Sequence, residues 1–284
     1  MAWWKLCIPK SEGGMGFRDL YSFNLAMLAK QCWRIVTEPE SLVARVLKAK
    51  YFPNRSILEA TSKTGSSFTW QSIMKGLETF KRGYIWRIGM GEHVNIWNDP
   101  WIPTSADRKV ITPQQTLLTR VCDLMDPVTG TWDEELLRDI FWAVDVRGIM
   151  QIPLYPQAFD DFIAWQPNRT GIFSVKMAYH LQWTHTFRAH ANKVERPTGS
   201  APLDIWNTLW KLQVPRKVQI FGWRILRGII PLKSILMNQH VGSDGACPIC
   251  HQGAEDLKHL LFLCTNAKEL WRRLGMMDVI EHSV

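Results

Sequence analysis

The sequence predicts an α+β protein that is mainly helical: a helical amino-terminal part with short β-hairpins, followed by a small helical carboxyl-terminal domain. Three observations predict it. Apolar residues recur at helical spacing through most of the first 80 positions and again from residue 216. Two stretches, YIWRIGMGEHVNIW from Tyr84 and DDFIAWQPNRTGIFSV from Asp160, alternate apolar and polar residues around a turn. The third is CPICHQGAEDLKHLLFLC, which gathers three of the chain's six cysteines between Cys247 and Cys264. At 284 residues the chain has room for two modest domains.

The first helix starts at Asp19, where DLYSFNLAMLAKQCWRIV places Leu20, Phe23, Met27 and Leu28 on one face, and it stops before Pro39. Next, PESLVARVLKAKYF puts Pro39 at a helix start and should bury Leu42, Val43, Val46 and Leu47, leaving Arg45, Lys48 and Lys50 on a basic flank. A third helix follows a serine cap at Ser66 or Ser67, with Trp70, Ile73, Met74, Leu77 and Phe80 in register, and Gly83 ends it. The alternation from Tyr84 predicts a hairpin turning at Gly89–Gly91. In TWDEELLRDIFW, Thr131 and Glu134 have capping-box spacing. A second hairpin is expected to turn at QPNRTG, with Ser174 capping the helix behind it. Residues 185–202 gather Pro, Gly and Ser without an apolar period, so they divide a region 1–184 from a domain 203–284. In the latter, KVQIFGWRILRG and PLKSILMNQH form a helical pair separated by Gly228 and restarted at Pro231.

Charge and composition narrow the function. No run of about 18 apolar residues exists, and the amino terminus lacks the apolar core of a signal peptide, so a membrane class is excluded and an intracellular place, nuclear or cytoplasmic, is expected. The net charge of +8 is uneven: residues 1–120 carry 17 Lys and Arg against 9 acids, and 201–284 carry 10 against 7, whereas 121–200 are acidic. Basic ends favour polyanions through counterion release, which makes RNA or DNA the partner to consider. Arg45, Lys48 and Lys50 in the first part, and Arg216, Lys217, Arg224 and Arg227 in the last, are the candidate phosphate contacts. Of the tryptophans, Trp70, Trp206, Trp210 and Trp223 lie within apolar helical patterns and belong to the core.

The cysteine cluster carries the chemistry. Cys247 and Cys250 have the CxxC spacing that turns two thiolates toward one centre, and His259 and Cys264 complete a set of four soft or borderline ligands. Zinc prefers tetrahedral thiolate and imidazole ligation, and four protein ligands leave no open position, which marks a structural Zn²⁺ site. A redox disulfide between Cys247 and Cys250 lacks a βαβ context and leaves Cys264 unexplained; buried inert thiols are the bland alternative. His251 competes with His259, but Cys250 and His251 are adjacent and do not easily turn toward one ion.

The arrangement VPRKVQIFGWRILRGIIPLKSIL, CPIC, EDLKHLLFLC and AKELW resembles the zinc-binding domain downstream of the reverse transcriptase in plant LINE-type (non-LTR) retroelements. PKSEGGMGFRDLYSFNLAMLAKQCWR, SLVARVLKAKYFP, WRIGMGEHVNIWNDPWIP and GIFSVKMAY resemble the region between polymerase and zinc domain in the same elements. The resemblance implies a structural zinc domain, association with nucleic acid and contact with other retroelement protein regions. The polymerase's paired aspartates, in a Tyr or Phe, any residue, Asp, Asp motif, have no counterpart here. AFDDF at 158–162 lacks the intervening residue, and Asp160 and Asp161 read as a solvated turn. A non-catalytic piece of a larger polyprotein is therefore expected, with a structural or protein-interaction module as the alternative.

Overall fold

A computed structural model describes residues 2–62, 64–154, 159–191, 203–238, 240–241 and 244–281. Its helices are α1 (Trp3–Cys7), α2 (Leu20–Thr37), α3 (Leu42–Tyr51), α4 (Phe68–Lys81), α5 (Glu134–Ile140), α6 (Ala143–Met150), α7 (Val175–Ala191), α8 (Leu203–Lys211), α9 (Arg216–Leu226), α10 (Lys233–Asn238), α11 (Thr265–Arg273) and α12 (Met277–Glu281). Two strands, β1 (Tyr84–Arg87) and β2 (Phe162–Trp165), complete a mainly helical α+β chain. The chain divides into two compact units, Arg18–Arg196 and a second made of Met1–Phe17 with Pro197–Val284. The first seventeen residues thus fold with the carboxyl-terminal helices. The segment expected as a linker, 185–202, begins inside α7, and its remainder from 192 lies outside the described residues.

In the unit Arg18–Arg196, α2, α4 and α7 pack around Trp70, Leu77, Phe80 and Trp165. Asp19 caps α2 by accepting from the Ser22 N–H at 2.8 Å, and Ser67 caps α4 by accepting from the Trp70 N–H at 3.3 Å, which satisfies otherwise orphaned donors. The buried face of α2 is not the expected one: Leu20 and Met27 are exposed, and Leu25, Ala26, Ala29, Cys32 and Ile35 are buried. The reason is proximity. At Gly76 of α4 an added Cβ would lie 2.5 Å from the Leu28 Cβ, an approach that the short side chains of Ala26, Ala29 and Cys32 permit and long ones forbid. The expectation for α3 holds for Leu47, which packs against this core, and fails for Leu42, Val43 and Val46, which face outward while Ala44 is buried. The helix starts at Leu42 with Ser41 as its cap, two residues beyond Pro39.

The sheet corrects both hairpins. The strands form where alternation predicts them, yet β1 pairs with β2, antiparallel, with Tyr84 opposite Trp165 and Arg87 opposite Phe162. The Gly89–Gly91 stretch is instead closed by Asp161. Its carboxylate, fully buried, accepts from the N–H groups of Gly89 at 2.7 Å, Gly91 at 2.9 Å and His93 at 2.9 Å. Asp161 is therefore a structural clamp and not a solvated turn. A neighbouring core of Val94, Trp101, Leu124, Leu137 and Ile149 includes α5, capped by Asp133 in place of Thr131 because the Asp133 carboxylate accepts the Leu136 N–H at 3.0 Å.

The second unit has its own core of Trp206, Leu209 and Trp223, against which Leu6, Met15 and Trp210 pack. Gly13 is its hinge pin. Its φ of +84° suits glycine, and an added Cβ would lie 2.7 Å from the Trp206 ring. The Gly13 carbonyl accepts from the indole N–H of Trp223 and from the Nε–H of Arg227, each at 2.8 Å.

Candidate metal centre

The centre begins with a tight reversal. An isolated antiparallel bridge joins Ala246 to Ala254, the Cys247 N–H donates to the Gly253 carbonyl at 3.1 Å, and the His251 N–H donates to the Cys247 carbonyl at 3.0 Å. Reversing the chain in so few residues needs left-handed backbone at His251 (φ 57°) and Gly253 (φ 74°). Asp244 stabilises the entry by accepting from the Ala246 N–H at 2.8 Å, and this bond, with Lys233 beside it, holds its carboxyl below the usual carboxylate range. Glu255 fastens the far side: its carboxylate accepts the Lys233 N–H at 2.9 Å and its carbonyl accepts the Ser234 hydroxyl at 2.8 Å. The start of α10 is thereby tied to the reversal.

A helical segment then begins at Leu257, capped by Asp256, which accepts the His259 N–H at 2.6 Å. Over His259–Leu263 the segment widens into a π-turn, with the Cys264 N–H donating to the His259 carbonyl at 2.8 Å. Such widened turns recur at functional sites, and this one brings residues five apart to the same centre. The Trp271 indole donates to the Leu261 carbonyl at 2.7 Å and holds α11 against the turn.

One ligand atom each from Cys247, Cys250, His259 and Cys264 lies within 4.8 Å of all the others. Zn–S bonds of about 2.3 Å in a tetrahedron imply ligand separations of about 3.8 Å, and the Cys250 Sγ to His259 Nε2 distance is 3.2 Å. Cys247 and Cys264 are buried. The Cys247 thiol is pushed down to about 6, chiefly by the backbone N–H groups of Cys250 and then Ile249, so it presents a thiolate readily. Three sulfurs and one imidazole, with every tetrahedral position supplied by protein, fit a structural zinc ion. His251 is exposed and outside the group.

Of the candidate phosphate contacts, Arg45, Lys48 and Lys50 are exposed on α3, and Arg216, Lys217 and Arg224 on α9. Arg227 is different. Besides its bond to Gly13, its guanidinium sits 5.2 Å from the Trp206 ring centre, and burial lowers its pKa, which gives it a packing role. Sequence reasoning missed Phe221, which the helical pattern would bury but which is 46% exposed between Lys217 and Arg224.

Residues 173–271 match the family described as zinc-binding in reverse transcriptase. Over 103 residues the chain is 47% identical to the uncharacterized mitochondrial protein AtMg00310 of Arabidopsis thaliana, an alignment covering 36% of this chain and 67% of that protein. The chain belongs to the reverse-transcriptase zinc-binding family. It is also 28% identical over 290 residues to a protein of Arabidopsis thaliana named "Putative ribonuclease H protein At1g65750", covering 96% of this chain and 43% of the relative, so it spans less than half of that protein. No solved structure matches significantly. The match to this family begins at Phe173 and so includes α7 as well as the four ligands. Among the described residues no helix is long and apolar enough to cross a membrane.

Proposed function

We propose that the chain is a non-catalytic part of a plant LINE-type retroelement polyprotein, in which zinc holds a unit that associates with RNA or DNA. The observation carrying this reading is the outer face of α9. Lys217, Phe221 and Arg224 are spaced four and three residues apart, so they are neighbours on one helical face, and all three are exposed. Cations flanking an open aromatic ring suit an unpaired nucleic-acid strand, with the cations on phosphate and the ring against a base. The net charge of +8 supports the same partner, as does a relative named for ribonuclease H. Arg45, Lys48 and Lys50 on α3 supply a second basic set, and other retroelement protein regions are further partners. The zinc fastens the reversal and the π-turn behind α11 and performs no chemistry.

The test is titration of labelled single-stranded RNA and DNA with the full chain across a salt series. A site neutralising about five phosphates gives a slope of roughly −3.5 in log K against log salt. Lys217→Glu with Arg224→Glu should flatten that slope, whereas Phe221→Ala should weaken binding by about 1–3 kcal/mol and leave the slope unchanged. Absence of binding at low salt refutes the proposal.

A further inference from the structure

The outward face of α3 departs from an ordinary helix surface. Leu42 is 75% exposed, Val43 61% and Val46 56%, three aliphatic side chains within two turns. They form one wall of a groove of about 570 Å³ whose other walls are α2, through Leu28, Arg34 and Ile35, and α4, through Ile73. Apolar surface gathered in a concavity marks a binding surface, whereas isolated exposed side chains do not.

The shape and charge select the occupant. The apolar residues of α3 recur at i, i+1 and i+4, the ridge that a second helix meets in helix-in-groove recognition. From Leu42 to Leu47 the wall runs about 8 Å at 1.5 Å per residue, between one and two turns of a partner. Arg34 is the one charged residue lining the groove, no carboxylate lines it, and its guanidinium has no side-chain partner among the described residues. Lys50 does not line the groove, its ammonium lying 5.3 Å from the Tyr51 ring centre, and Arg45 and Lys48 fall on the opposite side of the helix. Gln31, Ser41, Thr69 and Ser72 also line the groove, but a single cation is too few to track a run of phosphates.

We infer that this groove receives an amphipathic helix of another polypeptide, which lays an apolar stripe on Leu42, Val43 and Val46 and sets a carboxylate against Arg34. The reading is independent of nucleic-acid binding by α9.

The test uses the full chain and three labelled 15-residue helical peptides that share one Leu/Ile stripe and carry Glu, Gln or Lys beside it. Fluorescence anisotropy should rank them Glu over Gln over Lys. The double substitution Val43→Gln with Val46→Gln, at exposed positions and with circular dichroism unchanged, should weaken the Glu peptide by about tenfold or more. Arg34→Glu should reverse the ranking of the Glu and Lys peptides. The inference is overturned if no peptide binds or if binding ignores both variants. It also falls if a single-stranded oligonucleotide displaces the Glu peptide, or if the chain alone forms a dimer that the double substitution dissociates, which would make a second copy the occupant.

Discussion

Cys32 sits fully buried on α2, its thiol directed at the Ile73 carbonyl 3.5 Å away. Burial pushes its pKa from 9.0 up to about 12. Between those values the unfolded chain has released a proton that the folded chain keeps, so stability is intact below pH 9 and falls as pH rises, by up to about 1.4 kcal/mol per pH unit. Urea midpoints of wild type and Cys32→Ala should therefore converge as pH rises from 9 to 12; a constant difference would show that the thiol does not titrate in this way. At the metal centre, Cys264→Ser should abolish bound zinc by elemental analysis, and His251→Ala should leave it unchanged, because only His259 shares the sulfurs' site. The four ligands were legible because a metal site needs donor types at particular spacings, which are local. Asp161 was not, because nothing in AFDDF reveals that three N–H groups some 70 residues earlier converge on one carboxylate. Asp161→Asn should cost about 1–3 kcal/mol in chemical denaturation, since an amide offers one acceptor oxygen where the carboxylate offered two.

Among the elements, the expected face of α4 is the buried one, through Trp70, Ile73, Leu77 and Phe80, whereas on α2 and α3 the buried face escaped the sequence. On α2 the deciding factor is how closely α4 approaches at Gly76, and on α3 it is that Ala44, Leu47 and Tyr51 turn inward while Leu42, Val43 and Val46 do not. Strand positions were readable from alternation, but pairing is set by tertiary packing. Trp165 fills the space over Gly83, where an added Cβ would lie 2.3 Å from its ring, and this favours the long-range partner over the local turn. The single 3-10 turn Lys10–Glu12, which ends at Gly13, had no sequence signal for its partners. Gly13→Ala would meet both a left-handed backbone and the Trp206 ring, so a loss of about 2–4 kcal/mol is expected from thermal unfolding. A melting temperature equal to wild type would mean that the segment does not seat there.

At the scale of the whole molecule, the division into two units predicts where metal removal is felt. Chelation should abolish hydrogen-exchange protection across α8 to α12 and, with it, in residues 2–17, while α2, α4 and α7 keep theirs. Protection retained in residues 2–17 after chelation would separate them from the zinc-held unit.

The Gly13 carbonyl and the Trp223 indole that donates to it are 210 positions apart. At about 5–20 residues per second of synthesis, roughly 10–40 s separate their appearance from the ribosome. Throughout that interval the amino-terminal segment is a strand of chain awaiting its mate, with Trp3, Trp4, Leu6 and Met15 in its short length. The intervening unit, complete by Arg196, has every opportunity to fold first. Residues 2–17 are therefore sewn to α9 after that unit, and the stitch that closes them is a glycine carbonyl shared between a tryptophan and an arginine.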